Sequence, residues 1–214
     1  MKYLKLKLLL LTCALLAASC TAPQTAQENK ANGNAANAAP TTSPTAAAEA
    51  TPPKLDVPYV PTHEKVVDEM LAMAEVKGSD VLYDLGSGDG RIPITAAQRF
   101  GTRGVGIDLN PQRIKEANEN AQKAGVTDKV KFIQGDIFKE DFSEATVVTL
   151  YLLPEVNLKL RPQILNMKPG TRVVSHNYDM GDWKPEKSKE IETPDGTTHY
   201  VYFWRVPEKK PDLK

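Results

Sequence analysis

The fold is decided by one short stretch of the sequence, Val81-Leu82-Tyr83-Asp84-Leu85-Gly86-Ser87-Gly88-Asp89-Gly90-Arg91. Five mostly apolar residues lead into three glycines at alternate positions, and a segment with helical spacing follows. Glycine lets the backbone turn sharply and approach a ligand closely because it has no Cβ. The helix behind the turn presents free N–H groups at its N-terminus. This order predicts a buried strand, a ligand-binding turn and a helix.

The sequence on either side of this stretch alternates between strand and helix patterns. Apolar spacing predicts helices over residues 63–76, 92–100, 111–124 and 154–167. It predicts strands over residues 80–85, 104–109, 130–134, 145–152 and 171–177, followed by a hairpin of two more strands, 187–192 and 198–205. Alternation of this kind is typical of a parallel sheet covered by helices on both faces, which is the Rossmann-like α/β class.

Three acidic residues fall at the ends of the first three predicted strands, Asp84, Asp108 and Asp136. Ligands of such sheets bind beyond the carboxyl ends of the strands. Asp84 would repel a pyrophosphate and favours a ligand with a cationic amine. Asp108 suits the two hydroxyls of a ribose, and Asp136 suits an adenine amino group, with Ile137 covering the ring. Together they indicate one ligand that carries an amine, a ribose and an adenine.

This pattern resembles the class I S-adenosylmethionine-dependent methyltransferases, over about residues 57–206. Asp84 to Gly90 matches the first motif of that family, including Gly86, Ser87, Gly88 and Gly90. The resemblance implies S-adenosylmethionine as cofactor and a seven-stranded, mostly parallel sheet with an antiparallel last strand. A dinucleotide-binding fold is the rival interpretation. It requires a third glycine where Arg91 stands, and it has no use for Asp84.

A narrower resemblance is carried by Tyr59-Val60-Pro61-Thr62, by the glycine-rich stretch and by Lys168-Pro169-Gly170-Thr171. These residues are similar to the lysine methyltransferases of the adenine nucleotide translocase and of the ATP synthase c-subunit, and to bacterial relatives. The resemblance implies that Tyr59 and Thr62 belong to a segment that folds over the cofactor. It also implies a protein substrate with an accessible lysine. Tyr59 as a packing residue and Thr62 as the N-cap of the first helix are the competing interpretations.

The acceptor end of the site is less clearly marked. Tyr151 and Glu155 stand where many amine methyltransferases carry an Asn- or Asp-Pro-Pro-aromatic motif, which is absent here. We interpret Tyr151 as facing the transferred methyl and Glu155 as orienting the incoming ammonium. A core tyrosine and a helix-capping glutamate explain these two residues as well. Residues 176–178 are candidates for the substrate mouth and residues 182–183 for its wall. The scattered histidines do not suggest a metal site.

The first twenty residues have the pattern of an export signal, with three lysines ahead of an apolar run at residues 8–18. Ala17-Ala18-Ser19-Cys20 resembles the lipobox of bacterial lipoproteins, which predicts lipidation at Cys20. The competing interpretation is an ordinary secretory signal. An alanine-, threonine-, proline- and asparagine-rich linker follows at residues 21–56, ahead of a methyltransferase domain at 57–206 and a flexible tail at 207–214. We therefore predict an exported, membrane-anchored lipoprotein on the periplasmic or cell-surface side.

The charge of the chain bears on its partners. Lysine and arginine total 27, and so do aspartate and glutamate. This balance disfavours a nucleic-acid partner, which requires a concentrated basic surface. Together, the resemblances to the lysine methyltransferases and to the lipoproteins imply a methyltransferase that modifies a protein lysine and contacts the membrane through its lipid alone. Two further hypotheses stay open: a non-catalytic cofactor- or partner-binding lipoprotein with this fold, and a methyltransferase acting on small molecules.

Overall fold

The computed structural model describes residues 59–213, so the predicted leader, Cys20 and the linker lie outside the described residues. Four helices and seven strands are present in that part of the chain: α1 (Glu64–Met73), β1 (Val81–Leu85), α2 (Arg91–Phe100), β2 (Arg103–Asp108), α3 (Pro111–Ala124), β3 (Val130–Gln134), β4 (Val147–Leu150), α4 (Pro154–Ile164), β5 (Arg172–His176), β6 (Lys187–Glu192) and β7 (Thr198–Arg205). Between residues 59 and 213, no helix has the length and apolar character needed to cross a bilayer.

The seven strands form one sheet in the order β3-β2-β1-β4-β5-β7-β6. Strands β1 to β5 run parallel, and β7 is antiparallel to both of its neighbours, β5 and β6. This confirms the predicted Rossmann-like α/β class with its reversed last strand. The strand order changes direction between β1 and β4, and the crevice at such a switch point is where ligands bind.

Both faces of the sheet are covered by helices and buried. On one face, Leu160 and Ile164 of α4 join a cluster that contains Leu85, Val173 and Trp204. On the other face, Val66 and Met70 of α1 pack against a cluster with Leu82, Val174 and Phe203. Burial of apolar surface at about 25 cal/mol per Å² is the main force that holds the helices on the sheet.

Most predicted element bounds are confirmed to within a few residues, and the differences have local causes. Asn110 accepts the Gln112 N–H as N-cap of α3, and Gly125 ends that helix in the left-handed conformation. Thr62 as the N-cap of α1 was wrong, because His63 takes that place and accepts the Lys65 N–H. Strand β4 ends at Leu150, so Tyr151 lies in the loop that follows.

A buried ion pair locks the end of the sheet opposite to the carboxyl ends of the parallel strands. Asp80, just before β1, accepts bonds from the Lys77 N–H and the Thr146 hydroxyl and pairs with Arg172 at the start of β5. Arg172 also donates to the Ala74 carbonyl at 2.7 Å. The pair therefore ties the end of α1 to two central strands, at a distance from the crevice.

Candidate active site

A cleft of about 980 Å³, continuous with solvent, lies at the carboxyl ends of the parallel strands. Ten of the residues predicted for the site line it: Tyr59, Thr62, Asp84, Gly86, Ser87, Gly88, Asp108, Asp136, Ile137 and Tyr151. The other predicted residues do not line it: Gly90, Glu155, the mouth candidates 176–178 and the wall candidates 182–183.

Asp84 is the most unusual group in the cleft. Only 3% of the residue is exposed, and its carboxylate accepts one hydrogen bond, from the Thr149 hydroxyl at 2.6 Å. Burial, together with the negative charges of Asp108 and Asp89, raises the pKa of Asp84 to about 7. Among residues 59–213 no cationic side chain pairs with it. A buried carboxylate without a cation is costly, so this position is suited to a positively charged ligand group.

The glycine-rich turn is held in place by the strand beside it. Gly88 has φ +52° and donates its N–H to Asp108 Oδ2 at 2.8 Å. A Cβ at Gly88 would lie 2.5 Å from Cε2 of Tyr59, so a larger residue here would have to displace the Tyr59 ring. Ser87 is buried, and its hydroxyl lies against Gly106 without a hydrogen-bond partner in the described part of the chain.

The two other predicted acids lie on the same cleft with part of their hydrogen-bonding capacity in use. Asp108 accepts from Gly88 and, through Oδ1, from the Asn110 N–H at 2.9 Å. Asp136 accepts the Phe138 N–H at 3.0 Å, and this bond lowers the pKa of its carboxyl. Each carboxylate oxygen has a second lone pair, so both side chains retain acceptor sites for a ligand. The convergence of the three acids on one cleft was predicted and is observed.

Residues 59–62 form an arm that lies across the glycine-rich turn. Arg91 donates to the Thr62 carbonyl at 2.7 Å while its other nitrogens pair with Asp89. The guanidinium of Arg113 lies 4.3 Å from the centre of the Tyr59 ring. Cation–π contacts of this kind contribute about 0.5–1 kcal/mol at exposed sites. The arm is thus fastened by two arginines from two different helices, as one wall of the cleft.

Behind Thr62 and Tyr151, which line the cleft, lies a histidine pair whose arrangement the sequence did not reveal. His176 is fully buried at the end of β5 and bonds the Thr62 hydroxyl through Nδ1 at 3.2 Å. Its Nε2 lies 2.9 Å from Nδ1 of His199 on β7. The ring of Tyr151 lies over His176 with 3.7 Å between ring centres. The predicted mouth residue Asn177 follows in the left-handed conformation, with φ +62°.

Gly90 and Glu155 have positions that differ from those expected of ligand contacts. Gly90 is the N-cap residue of α2, and a Cβ there would lie 2.5 Å from the Phe132 ring. It is required for packing between the turn and β3. Glu155 is exposed in the first turn of α4, where a carboxylate favours the helix dipole.

The wall predicted at residues 182–183 is also absent from the cleft, for two separate reasons. Asp182 pairs with Arg161, and Trp183 is buried against Trp204. Within residues 59–213, no group of three or more His, Cys, Asp or Glu is placed to hold a metal ion.

Comparison with known proteins agrees with this geometry. Residues 84–187 match the sequence family described as the ANTKMT methyltransferase domain. A protein-lysine N-methyltransferase from Saccharolobus islandicus is 48% identical over 157 residues, which cover 72% of this chain and 96% of that protein. The lysine N-methyltransferase of the ATP synthase c-subunit from Mus musculus is 32% identical over 134 residues. That alignment covers 62% of this chain and 53% of the mouse protein.

A solved structure is also similar to this chain. It is the crystal structure of an RNA methyltransferase from Salinibacter ruber in complex with S-adenosyl-L-homocysteine. The identity is 55%, the TM-score is 0.69, and the match covers 72% of this chain and 98% of that one.

The fold and the cleft define a class I S-adenosylmethionine-dependent methyltransferase. The chain belongs to the family of methyltransferases that contains the archaeal lysine-modifying enzyme and the ANTKMT methyltransferase domain. Its cofactor is S-adenosylmethionine, and the cleft fits that molecule on chemical grounds. Asp84 offers a buried negative charge without a cation among the described residues, and the two flanking acids offer free acceptor sites.

Proposed function

We propose that this enzyme N-methylates lysine side chains of protein substrates. The observation that carries the proposal is the 48% identity to an archaeal protein-lysine N-methyltransferase over 96% of that protein's length. The mouse relative, which is also named as a lysine N-methyltransferase, supports the same acceptor class. This chain spans only about half of the mouse protein, so that enzyme's particular substrate is not carried over.

The roles proposed for the cofactor side follow from the chemistry of each group. Asp84 holds the α-ammonium of the methionine part, because it is the buried carboxylate of the cleft that no described cation neutralises. Gly86 and Gly88 let the turn approach the methionine part closely, while their own N–H groups are bonded to the Ile107 carbonyl and to Asp108. Asp108 accepts from the ribose hydroxyls. Asp136 accepts from the adenine amino group, and Ile137 covers the adenine ring.

The arm completes this side of the cleft. Tyr59 and Thr62 line the cleft from above the glycine-rich turn, and Arg91 and Arg113 hold the arm there. We infer that the arm shields the bound cofactor from water. Exclusion of water strengthens the electrostatic contacts inside the site.

On the acceptor side, the enzyme's task is to align a neutral lysine amine. The bound cofactor supplies a methyl group already activated by the sulfonium, so the protein chiefly contributes orientation and dehydration. Tyr151 and Tyr178 stack with 6.4 Å between ring centres at this end of the site. Aromatic faces stabilise ammonium groups, so we assign Tyr151 to the wall that the lysine passes. Glu155 is exposed outside the cleft, so it is no longer proposed as a catalytic group.

The decisive experiment uses the purified chain with cofactor labelled in the transferred methyl. Protein extract and total RNA are offered in separate reactions, and the products are hydrolysed to amino acids or nucleosides. We expect label in Nε-methyllysine and none in the Asp84→Asn variant. Label confined to nucleosides would overturn the lysine proposal in favour of the activity named for the Salinibacter ruber protein. Label confined to small molecules would favour a small-molecule methyltransferase, and no transfer at all would favour a non-catalytic binding protein.

We also propose that the chain is exported and anchored to a membrane by a lipid on Cys20. The support is the basic and apolar pattern of residues 1–20 and the likeness of Ala17-Ala18-Ser19-Cys20 to a lipobox. Mass spectrometry of the native N-terminus tests this, with an acylated Cys20 as the first residue expected. An N-terminus at Met1 would contradict both export and anchoring.

A further inference from the structure

A chain of hydrogen bonds leads from the cleft toward the surface through three side chains. Thr62, which lines the cleft, lies 3.2 Å from Nδ1 of His176, and Nε2 of His176 lies 2.9 Å from Nδ1 of His199. His176 is completely buried, whereas His199 is only half-buried. The three side chains come from the arm, from β5 and from the reversed strand β7.

The inner end of this chain lies at the acceptor end of the cleft. Tyr151, which follows β4 and lines the cleft, contacts the His176 ring in a tilted arrangement with 3.7 Å between ring centres. The Thr62 hydroxyl, bonded to the same ring, is therefore close to the wall assigned to the lysine. Thr62 is only 4% exposed, so a group that reaches its hydroxyl has left bulk water.

Among the described residues that line the cleft, each of the four carboxylates already has a partner, and the acceptor sites left on Asp84, Asp108 and Asp136 are assigned to the cofactor. Asp84 accepts from Thr149, Asp89 pairs with Arg91, Asp108 accepts two backbone N–H groups and Asp136 pairs with Lys139. Burial raises the pKa of Tyr151, so its phenol stays protonated. A lysine with its ordinary pKa of about 10.4 arrives as an ammonium and must lose a proton before it can attack.

We propose that Thr62, His176 and His199 form a proton relay that deprotonates the incoming lysine; this role rests on the proposed function. The lysine Nζ gives one proton to Thr62 Oγ1, and Thr62 gives its own proton to His176 Nδ1. His176 passes the proton on Nε2 to His199 Nδ1, and His199 releases one to water. The lone pair left on Nζ then forms the bond to the methyl carbon, whose bond to sulfur breaks.

The state of His176 suits this task. Burial, and then the nearby His199, lower the pKa of His176 to about 3, so the ring is neutral with one donor and one acceptor nitrogen. In a concerted transfer, the His176 ring never carries a proton on both of its nitrogens at once. The groups that face it are Thr62, Tyr151 and His199.

The other neighbours of His199 lie on β6 and α1. Ile191 lies directly opposite it on β6. The charged groups that flank this face are Lys189, paired with Glu69 of α1, and Lys65, bonded to the Glu192 carbonyl.

The kinetic test replaces His199 with asparagine. Its amide oxygen stands where Nδ1 stood and still accepts from His176, but it cannot pass a proton on. We expect kcat to fall at least tenfold at pH 7.5, with KM and the affinity for S-adenosylhomocysteine changed less than twofold. The deficit should shrink as the pH approaches the lysine pKa, and imidazole should restore part of the rate of His199→Ala. The matched control His63→Asn, at an exposed N-cap, should keep the wild-type rate.

The second test requires no turnover. Nitrogen-15 NMR of the histidine rings, with S-adenosylhomocysteine bound, should show His176 neutral from pH 5 to 9, with its proton on Nε2. A proton on Nδ1 would make His176 a donor to Thr62, so that it could not accept the proton from Thr62. That result would overturn the relay. A rate deficit in His199→Asn that is equal at every pH would also overturn it, since that is the behaviour of a purely structural contact.

These outcomes separate the relay from the proposed function. Unchanged kinetics in His199→Asn, with lysine methylation intact, would remove the relay alone. Absence of methyllysine in reactions of the wild-type protein would remove the proposed function, and the relay with it.

Discussion

The backbone N–H of Gly88 donates to Asp108 Oδ2 across 2.8 Å, so one carboxylate fixes the glycine-rich turn and faces the cleft. The second oxygen of Asp108 is held by the Asn110 N–H. This makes Asp108 both a support for the turn and a ligand group. Its loss should therefore affect cofactor binding through two routes.

We predict that Asp108→Ala weakens the affinity for S-adenosylhomocysteine by at least tenfold, or about 1.4 kcal/mol. Each hydrogen bond to a charged group contributes about 1.5–3 kcal/mol, and several are lost. Isothermal titration calorimetry measures the change. The exposed residue Asp128 provides a control, since Asp128→Ala should bind like the wild type. Equal affinities for both variants would contradict the ribose role of Asp108.

The raised pKa of Asp84 makes cofactor binding sensitive to pH. With a pKa of about 7, this carboxyl is partly protonated in the ligand-free protein at neutral pH. A bound ammonium favours the ionised form, so binding should release close to one proton at pH 6 and almost none at pH 8.5. Affinity should therefore fall as the pH drops below 7. Calorimetry in buffers of different ionisation enthalpy measures the released protons, and equal values at both pH values would refute the assignment.

The raised pKa of Asp84 should also lower the stability of the ligand-free protein at high pH. Its pKa is higher in the folded state than the ordinary 3.8, so the folded state binds more protons between pH 4 and 7 and loses stability as the pH rises through that window. We predict that Asp84→Asn raises the free energy of unfolding at pH 8 while abolishing cofactor binding. Urea unfolding at pH 5 and pH 8 tests this. A destabilised variant at pH 8 would contradict it.

Gly88 and Gly101 form a matched pair of left-handed glycines. A Cβ at Gly88 would lie 2.5 Å from Tyr59, whereas a Cβ at Gly101 would meet nothing within 4 Å. Both alanine variants carry a backbone cost of about 1–2 kcal/mol. We predict that only Gly88→Ala displaces the arm and lowers the affinity for S-adenosylhomocysteine at least tenfold. Equal losses of affinity in both variants would show that the arm does not contribute.

The ion pair between Asp80 and Arg172, at the other end of the sheet, should affect stability but not cofactor binding. Asp80→Ala leaves the largely buried Arg172 without its carboxylate, which typically costs about 3–5 kcal/mol. The exposed pair of Asp68 and Arg99 is the control, because such pairs contribute about 0–1 kcal/mol. Urea unfolding measures both changes. A change in cofactor affinity in a folded Asp80→Ala protein would contradict the separation of the two ends.

The cofactor side of the site was predictable because its signals are local. Asp84, Asp108 and Asp136 lie at the ends of three strands, and parallel strands bring their carboxyl ends to one edge. The glycines that permit the turn are visible in the same eleven residues. No long-range information was needed to bring these groups together.

The acceptor side was not predictable because its contacts are distant in sequence. Thr62 and His176 are 114 residues apart, and a helix N-cap was the simpler use of a threonine before a helix. His199 reaches the same place only because β7 is reversed and inserted beside β5. Gly90 illustrates the opposite error, since its place in the motif suggested a ligand contact while the ring of Phe132 explains it.

The position of β7 has a consequence for biosynthesis. This strand is the last of the described strands in sequence but lies inside the sheet, where it alone pairs with β6. The edge of the sheet therefore stays open until residue 205 has left the ribosome. A chain truncated before Thr198 would lack Trp204 from the core and would leave β6 unpaired, so premature termination should yield aggregates and degradation fragments.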